Sequence, residues 1–369
     1  MKSHNQIINE DKFKLSAAQV IYGSYVRKNK LRELVYNTYG NSSIAQATKL
    51  NIYVDINSII HALYSEHNRI TIDNITDISA GIINLCAHYR SFFRESLMVD
   101  TRIFLINSLN LCDINRKYVA EYNGVFMNKV NVTQGKKLID TNMNLLKVLC
   151  PYLPAIYYIE SQQQFETAVI IAGLIESLND ENPNLIISHD IYPLQLCAQY
   201  KWTSYLYPYK SKDADGNTTD TSWMIPVNDK PNFREEFWNK YCMARRIHGS
   251  TLYKISPVNF PLLLALTKFP ERNIMGNIIS IPTAVNAIYD IVGGEDIKID
   301  HSQLMNHPIL SNGTVDARYK VLDAQYALQF YKSGPEINQI QLLDLDDPNT
   351  VAKIVSKYYD KNPINIFSL

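Results

Sequence analysis

Three acids stand where chemistry would gather. Asp55 closes an apolar run in VDIN, Glu166 opens the segment FETAVIIAGLI, and Asp190 follows LIIS in SHD. If the runs are strands and the segment a helix, the three carboxylates converge above one sheet edge. Carboxylates at one point repel one another unless a cation neutralises them. Mg²⁺ takes oxygen ligands and keeps part of its water shell, so this set reads as a Mg²⁺ or Mn²⁺ site. Other candidates have plainer readings. His189 has the chemistry of a metal ligand or base, yet a loop histidine more often faces solvent. His301 and His307 are six positions apart, which is no helix-face spacing. Tyr157-Tyr158 and the series Tyr205, Tyr207, Tyr209 have rings that can stack bases, but in strands tyrosines more often fill a core or an interface. Arg116-Lys117 and Arg245-Arg246 are the densest basic spots. Cys86, Cys112, Cys150, Cys197 and Cys242 lie far apart without CxxC spacing, which points to reduced thiols and away from zinc.

The elements that must position these groups alternate along the chain. NIYVDIN reads as a buried strand, and SIIHALYS opens a helix. Thr76–Phe93 is a helix, Arg102–Ile106 a strand, Lys137–Leu149 a helix, Ile156–Ile159 a strand, Phe165–Leu178 a helix, Asn184–Ser188 a strand and Pro193–Ala198 a helix. Tyr205–Tyr209 is a further short strand, and Lys210–Thr221 is a polar loop joining a hairpin-like insertion. Alternation of this kind implies βαβ units and a mostly parallel sheet. Sites in such sheets form where loops leave the carboxyl ends of the strands. Pro257–Ile291 then reads as helix, loop, helix, ended by Gly293-Gly294. Residues 315–334 and 348–359 are amphipathic helices, the second with Asp347-Pro348 as its start signal.

Before the first strand lies a polar stretch. Up to position 50 it carries eight Lys or Arg, among them Arg27, Lys28, Lys30 and Arg32, against three acids. Ser16–Tyr36 reads as a helix with Leu15, Val20, Val26, Leu31 and Val35 near helical spacing. The plain reading is a solvated basic helix; the sharper one, carried forward for residues 1–48, is an arm that stands clear of the core and docks on a partner.

Over the whole chain, 36 Lys plus Arg balance 36 Asp plus Glu, which excludes a surface that wraps nucleic acid throughout. Apolar residues make up 46% of the 369 positions, enough for a sizeable core. No run approaches the roughly 20 apolar residues of a membrane span, and MKSHNQIINEDK has no apolar signal segment. The 35 Asn and 25 Tyr beside only 13 Gly are what an AT-rich genome tends to encode.

The order VDINSIIHALYS, RIFLINSLN, FETAVIIAGLI, IISHDIYPLQL, ALTKFPERNIMGNIISIPTA resembles the flap-endonuclease and phage 5′-nuclease family, built on a PIN-like domain, over about Asn51–Gly294. SHDIYPLQL matches that family's pattern of Ser-x-Asp-x-Asp-x-x-Gln-Leu at Ser188, Asp190, Gln195 and Leu196. Asn273-Ile274 and Gly276 match its loop before a helix-hairpin-helix, and Thr283-Ala284 the start of the second helix. The departures fall on the metal ligands. Where the family has acids, this chain has Asn107, Ala168, Val169, Tyr192 and Arg272. Where it has a glycine-rich phosphate turn, this chain has Ile279-Ser280-Ile281-Pro282. Of about seven metal-shell carboxylates three remain, and two-metal cleavage needs most of them.

The resemblance implies an α/β fold: a PIN/5′-nuclease-like, mostly parallel sheet flanked by helices, with a helical hairpin region and N- and C-terminal extensions. The expected parts are an arm (1–48), a core (49–256), a degenerate helix-hairpin-helix region (257–294) and a C-terminal helical extension (295–369). Catalysis and cofactors are not expected. The composition and arm resemble virion proteins of AT-rich tailed phages, the crAss-like group in particular. That resemblance implies a structural ring subunit of a connector or tail, located in the virion, with itself and neighbouring virion proteins as partners and only weak DNA contact. The alternative is a metal-dependent 5′-nuclease with one Mg²⁺ or Mn²⁺ on Asp55, Glu166 and Asp190.

Overall fold

A computed structural model describes residues 25–39, 49–60, 75–108, 143–160, 165–179, 181–228, 256–267, 278–292, 297–308 and 313–332, together with a few isolated positions and the pair 341–342. Its centre is a seven-stranded sheet in the order β8-β5-β4-β1-β2-β3-β9. The strands β1 (Lys49–Asp55), β2 (Asp100–Asn107), β3 (Ile156–Glu160), β4 (Asn184–Ile187) and β5 (Thr203–Tyr207) are parallel. The edge strands β8 (Trp223–Ile225) and β9 (Gln341–Leu342) run antiparallel to their neighbours. After β1 the chain builds outward through β2 and β3, then returns to the other side of β1 for β4 and β5. The carboxyl ends of β1 and β4 are thus where the winding reverses.

Strands buried on both faces read as continuous apolar runs, and β1 and β4 do so. Successive residues feed opposite faces. Tyr53, Phe104, Ile159, Ile186, Tyr205 and Ile225 join one apolar cluster, and Ile52, Val54, Leu105, Ile187 and Leu206 join the other. The helices α1 (Lys28–Tyr39) and α2 (Ile75–Leu97) contribute to the second cluster. On the other face lie α3 (Thr167–Leu178), α4 (Leu196–Gln199), α5 (Phe260–Leu266), α6 (Ile281–Val292), α7 (His301–Asn306), α8 (Gly313–Leu322) and α9 (Ala324–Lys332). The expected α/β class with a mostly parallel, helix-flanked sheet is what the chain adopts. No boundary near 256 or 294 divides the first cluster, which runs from sheet residues through α5, α6, α8 and α9.

Several local expectations change. The basic helix begins at Lys28 and ends at Tyr39, preceded by residues 25–27 outside any helix or strand; residues 1–24 lie outside the described residues. Nor does the stretch from Tyr25 onward stand clear of the core. Val26, Leu31, Leu34, Val35 and Tyr39 are buried in the second cluster. The spacing 31, 34, 35, 38, 39 is one helical stripe, and the sheet supplies the surface it needs. Lys210–Thr221 contains a hairpin, β6 (Lys210–Lys212) with β7 (Thr218–Asp220), turned at Gly216, whose φ is +81°. The segment 315–334 is two helices broken at Asp323, and 348–359 lies outside the described residues. Among the described residues, no helix is long and apolar enough to cross a membrane.

Candidate functional site

Asp55 is the last residue of β1, and residues 56–60 continue as helix. Its carboxylate caps that helix, since Oδ1 accepts from the backbone N–H of Ser58 at 3.2 Å. Ser58 Oγ in turn donates to the Asp55 carbonyl at 2.9 Å. The hydroxyl of Thr167, at the start of α3, donates to Oδ1 at 3.3 Å. Ser188, just past β4, donates to Oδ2 at 2.7 Å. Three elements thus converge on one carboxylate that is only 2% exposed.

Asp190 lies beside it. Its backbone N–H donates to Ser188 Oγ at 3.0 Å, and its Oδ1 accepts from the Tyr192 N–H at 3.2 Å. The hydroxyl of Tyr205 faces the carbonyls of Ser188 and Asp190, which fixes the loop to β5. Burial pushes the Asp55 carboxyl up to about 6, the negative charge of Asp190 adds to that rise, and the Ser188 and Ser58 donors oppose it. Glu166 is the N-cap residue of α3, extended and 4% exposed, and makes no side-chain cap bond there. Asp55, Asp190 and the start of α3 therefore meet at the winding-reversal edge, as their sequence positions suggest.

The positions around them are not those of a cation shell. Asn107 ends β2, is fully buried, and donates through Nδ2 to the Tyr158 hydroxyl at 2.8 Å. Ala168 and Val169 are packed in the first apolar cluster. Tyr192 is fully buried, and its hydroxyl donates to the Val321 carbonyl at 2.7 Å. A place held by an acid in the resembled family here bolts the C-terminal helices to the sheet. Gln195 extends that joint, donating to Leu322 O at 3.1 Å and accepting from Ala324 N at 2.8 Å. A divalent cation would need carboxylate oxygens facing one point. Both Asp55 oxygens accept hydrogen bonds that tie it into the fold, and a second-strand amide and a tyrosine stand where the resembled family has two further acids. The residues present do not fit a Mg²⁺ or Mn²⁺ pair. Among the described residues no group of three or more His, Cys, Asp or Glu is arranged to hold a metal ion. Arg272 lies outside the described residues.

The phosphate-binding turn implied by the resemblance is also altered. The amides of Ile278 and Ile279 both donate to Leu266 O, at 3.0 and 3.2 Å, and so close the end of α5. Ser280 caps α6 by accepting from Thr283 N at 3.3 Å. The Ile279 amide of that turn is thus used within the protein, and Pro282 has no amide N–H to offer. Arg318, 5% exposed, gathers the loop through Nη1 contacts to Thr267 O (3.2 Å) and Gly276 O (2.8 Å).

Sequence reading named Ser188 and Tyr205 without these roles, and missed Ser58, Thr167 and Arg318. Ser58 and Thr167 carried a signal in their placement three residues after Asp55 and one after Glu166. Arg318 carried none. His189 is half-buried, with its ring 5.8 Å from that of Tyr207 and its N–H donating to Ser58 Oγ at 3.0 Å. Tyr207 stacks on Trp223 at 5.1 Å and Tyr205 lies 5.9 Å from it, so these two pack at the sheet edge, while Tyr209 is exposed. No protein-family model matches the sequence. None of the curated proteins compared with it matches either.

Proposed function

We propose that this chain is a non-catalytic structural protein on a nuclease-derived α/β scaffold, serving as a ring subunit in the connector or tail of a tailed-phage virion. The observation that carries the non-catalytic part is the state of Asp55. Its carboxylate caps a helix and accepts from Ser188 and Thr167, and so holds β1, β4 and α3 together. An acid used as a structural node is poorly placed to bind a cation and activate a water. Tyr192 and Gln195 support the same reading, because they use the motif's positions to seat helices. The virion part rests on the Asn- and Tyr-rich, glycine-poor composition and on zero net charge, which leaves apolar surface to hold partners.

The test is a cleavage assay with 5′-flap and single-stranded DNA in Mg²⁺ or Mn²⁺. No cleavage above that of the Asp190→Ala chain is expected. Metal-dependent cleavage that disappears in Asp190→Ala overturns the reading and makes the protein a 5′-nuclease. Mass spectrometry of purified particles tests the virion part, with the chain expected as a stoichiometric component.

A further inference from the structure

The segment Tyr25–Tyr39 sits on the rest of the protein as a bound peptide would. Its first three residues precede the helix and are held by their backbone. Lys210 Nζ donates to the Tyr25 carbonyl. His88 Nε2 lies 3.2 Å from the Val26 carbonyl. The Arg27 N–H donates to Asp220 Oδ2 at 2.7 Å. The Lys210 and Asp220 side chains are paired at 2.6 Å and only 15% and 5% exposed, so this is a built site and not a chance surface contact. Val26 is fully buried, and the Tyr25 ring meets His88 edge-on at 5.0 Å. Main-chain contacts together with one inserted side chain are a common way for proteins to hold a peptide segment. Next to it, α1 lays its apolar stripe into a groove beside β5 and β8, where Tyr39 pairs its hydroxyl with Ser204 and Thr38 donates to Met224 Sδ at 3.2 Å.

These contacts join residues 165 to 193 positions apart where they reach Ser204, Met224 and Asp220. The groove is built from elements that all follow Lys49, and the segment enters it from outside. Nine residues, Gly40 to Thr48, separate α1 from β1. Fully extended, such a tether spans about 30 Å. Those nine residues are the covalent link between the segment and the elements that form the groove.

We infer that the occupant of this groove in the assembled protein is the Tyr25–Tyr39 segment of a second copy of this chain, so that subunits are joined by exchange of N-terminal segments. This rests on the structural-subunit reading above. Exchange keeps each contact described and alters only which chain supplies it. Passed from each subunit to the next, the segment makes a head-to-tail interface, the kind that closes rings. A short tether gives a local concentration near millimolar, so the closed form prevails in dilute solution and exchange wins where subunits are packed together.

The Lys28–Glu95 ion pair reports which chain supplies the segment. Its ends are 3.4 Å apart, at 56% and 61% exposure, on the rim of the groove. The full chain carrying Lys28→Cys and Glu95→Cys, with Cys112→Ser and Cys242→Ser to remove other thiols, is treated with a short bis-maleimide and run on a denaturing gel. Cys86, Cys150 and Cys197 are buried. Covalent dimers and longer ladders are expected, rising about a hundredfold or more in share from micromolar to near-millimolar protein. Mixing chains that carry only Lys28→Cys with chains that carry only Glu95→Cys is expected to give cross-linked pairs as well. Monomer bands alone over the whole range, or pairs no commoner than from Lys28→Cys chains by themselves, overturn the exchange. If the chain still forms a large oligomer on a sizing column while its cross-link stays internal, exchange fails and the structural-subunit reading stands. DNA cleavage lost in Asp190→Ala would remove that reading whatever the gel shows.

Discussion

Asp55 makes three hydrogen bonds and still carries a cost. Its carboxyl is raised from the ordinary 3.8 to about 6, first by burial and then by Asp190. The folded state therefore binds this proton more tightly than the unfolded chain. The resulting stability is complete below the unfolded value and is lost as pH rises through about 6. Above that, ionised Asp55 weakens the fold by up to about 3 kcal/mol. Asp55→Asn removes the charge and keeps the shape. Its Oδ1 can accept from Ser58 and Thr167, and its Nδ2 can donate to Ser188 Oγ, which turns its proton elsewhere. Denaturant unfolding should show Asp55→Asn gaining about 1–3 kcal/mol on the natural chain between pH 5 and pH 8. A gap that does not change with pH would mean that Asp55 does not titrate in this range.

At the scale of elements, strands were the most legible part of the sequence. IYVD, RIFLI and NLII are apolar on both faces, as parallel strands covered by helices must be. The acids at strand ends were legible for the same reason, because placing the strand places the loop. Their hydroxyl partners were less so, since serine and threonine beside a strand end have many possible roles. Least legible was the docking of α1. Its stripe was visible in Leu31 and Val35, but the surface it meets includes Ser204 and Met224, and nothing local pairs positions so far apart. A stripe shows that a helix must be covered and does not name the cover. The burial of Leu31 gives the test. Leu31→Ala should lower the stability of the full chain by about 2–4 kcal/mol. Lys30→Ala, which removes an exposed pair with Glu33 at 2.8 Å, should change it by less than about 0.5 kcal/mol. Equal, small effects in urea titrations would return α1 to the status of an accessory arm.

For the whole molecule, the sheet is the common wall of two apolar clusters. Adjacent residues of each central strand belong to different clusters, as Tyr53 does beside Ile52 and Val54. Neither cluster can lose its wall while the other keeps it. The C-terminal helices share this fate. Tyr192 and Gln195 hold the junction of α8 and α9, and buried Asp323 there pairs with Lys298 at 2.8 Å. Leu263 in α5 is 1% exposed in the first cluster, and Leu31 is fully buried in the second, on the opposite face. The two share no side-chain partner, so their effects should add within about 0.5 kcal/mol. Leu263→Ala and Leu31→Ala are each expected to lower one and the same melting transition, and the double variant should lower it by the sum. Calorimetry that resolves two transitions, with Leu263→Ala moving only one of them, would make the helices after residue 256 a separate unit. The joint at Tyr192 would then be an interface between domains and not part of one core.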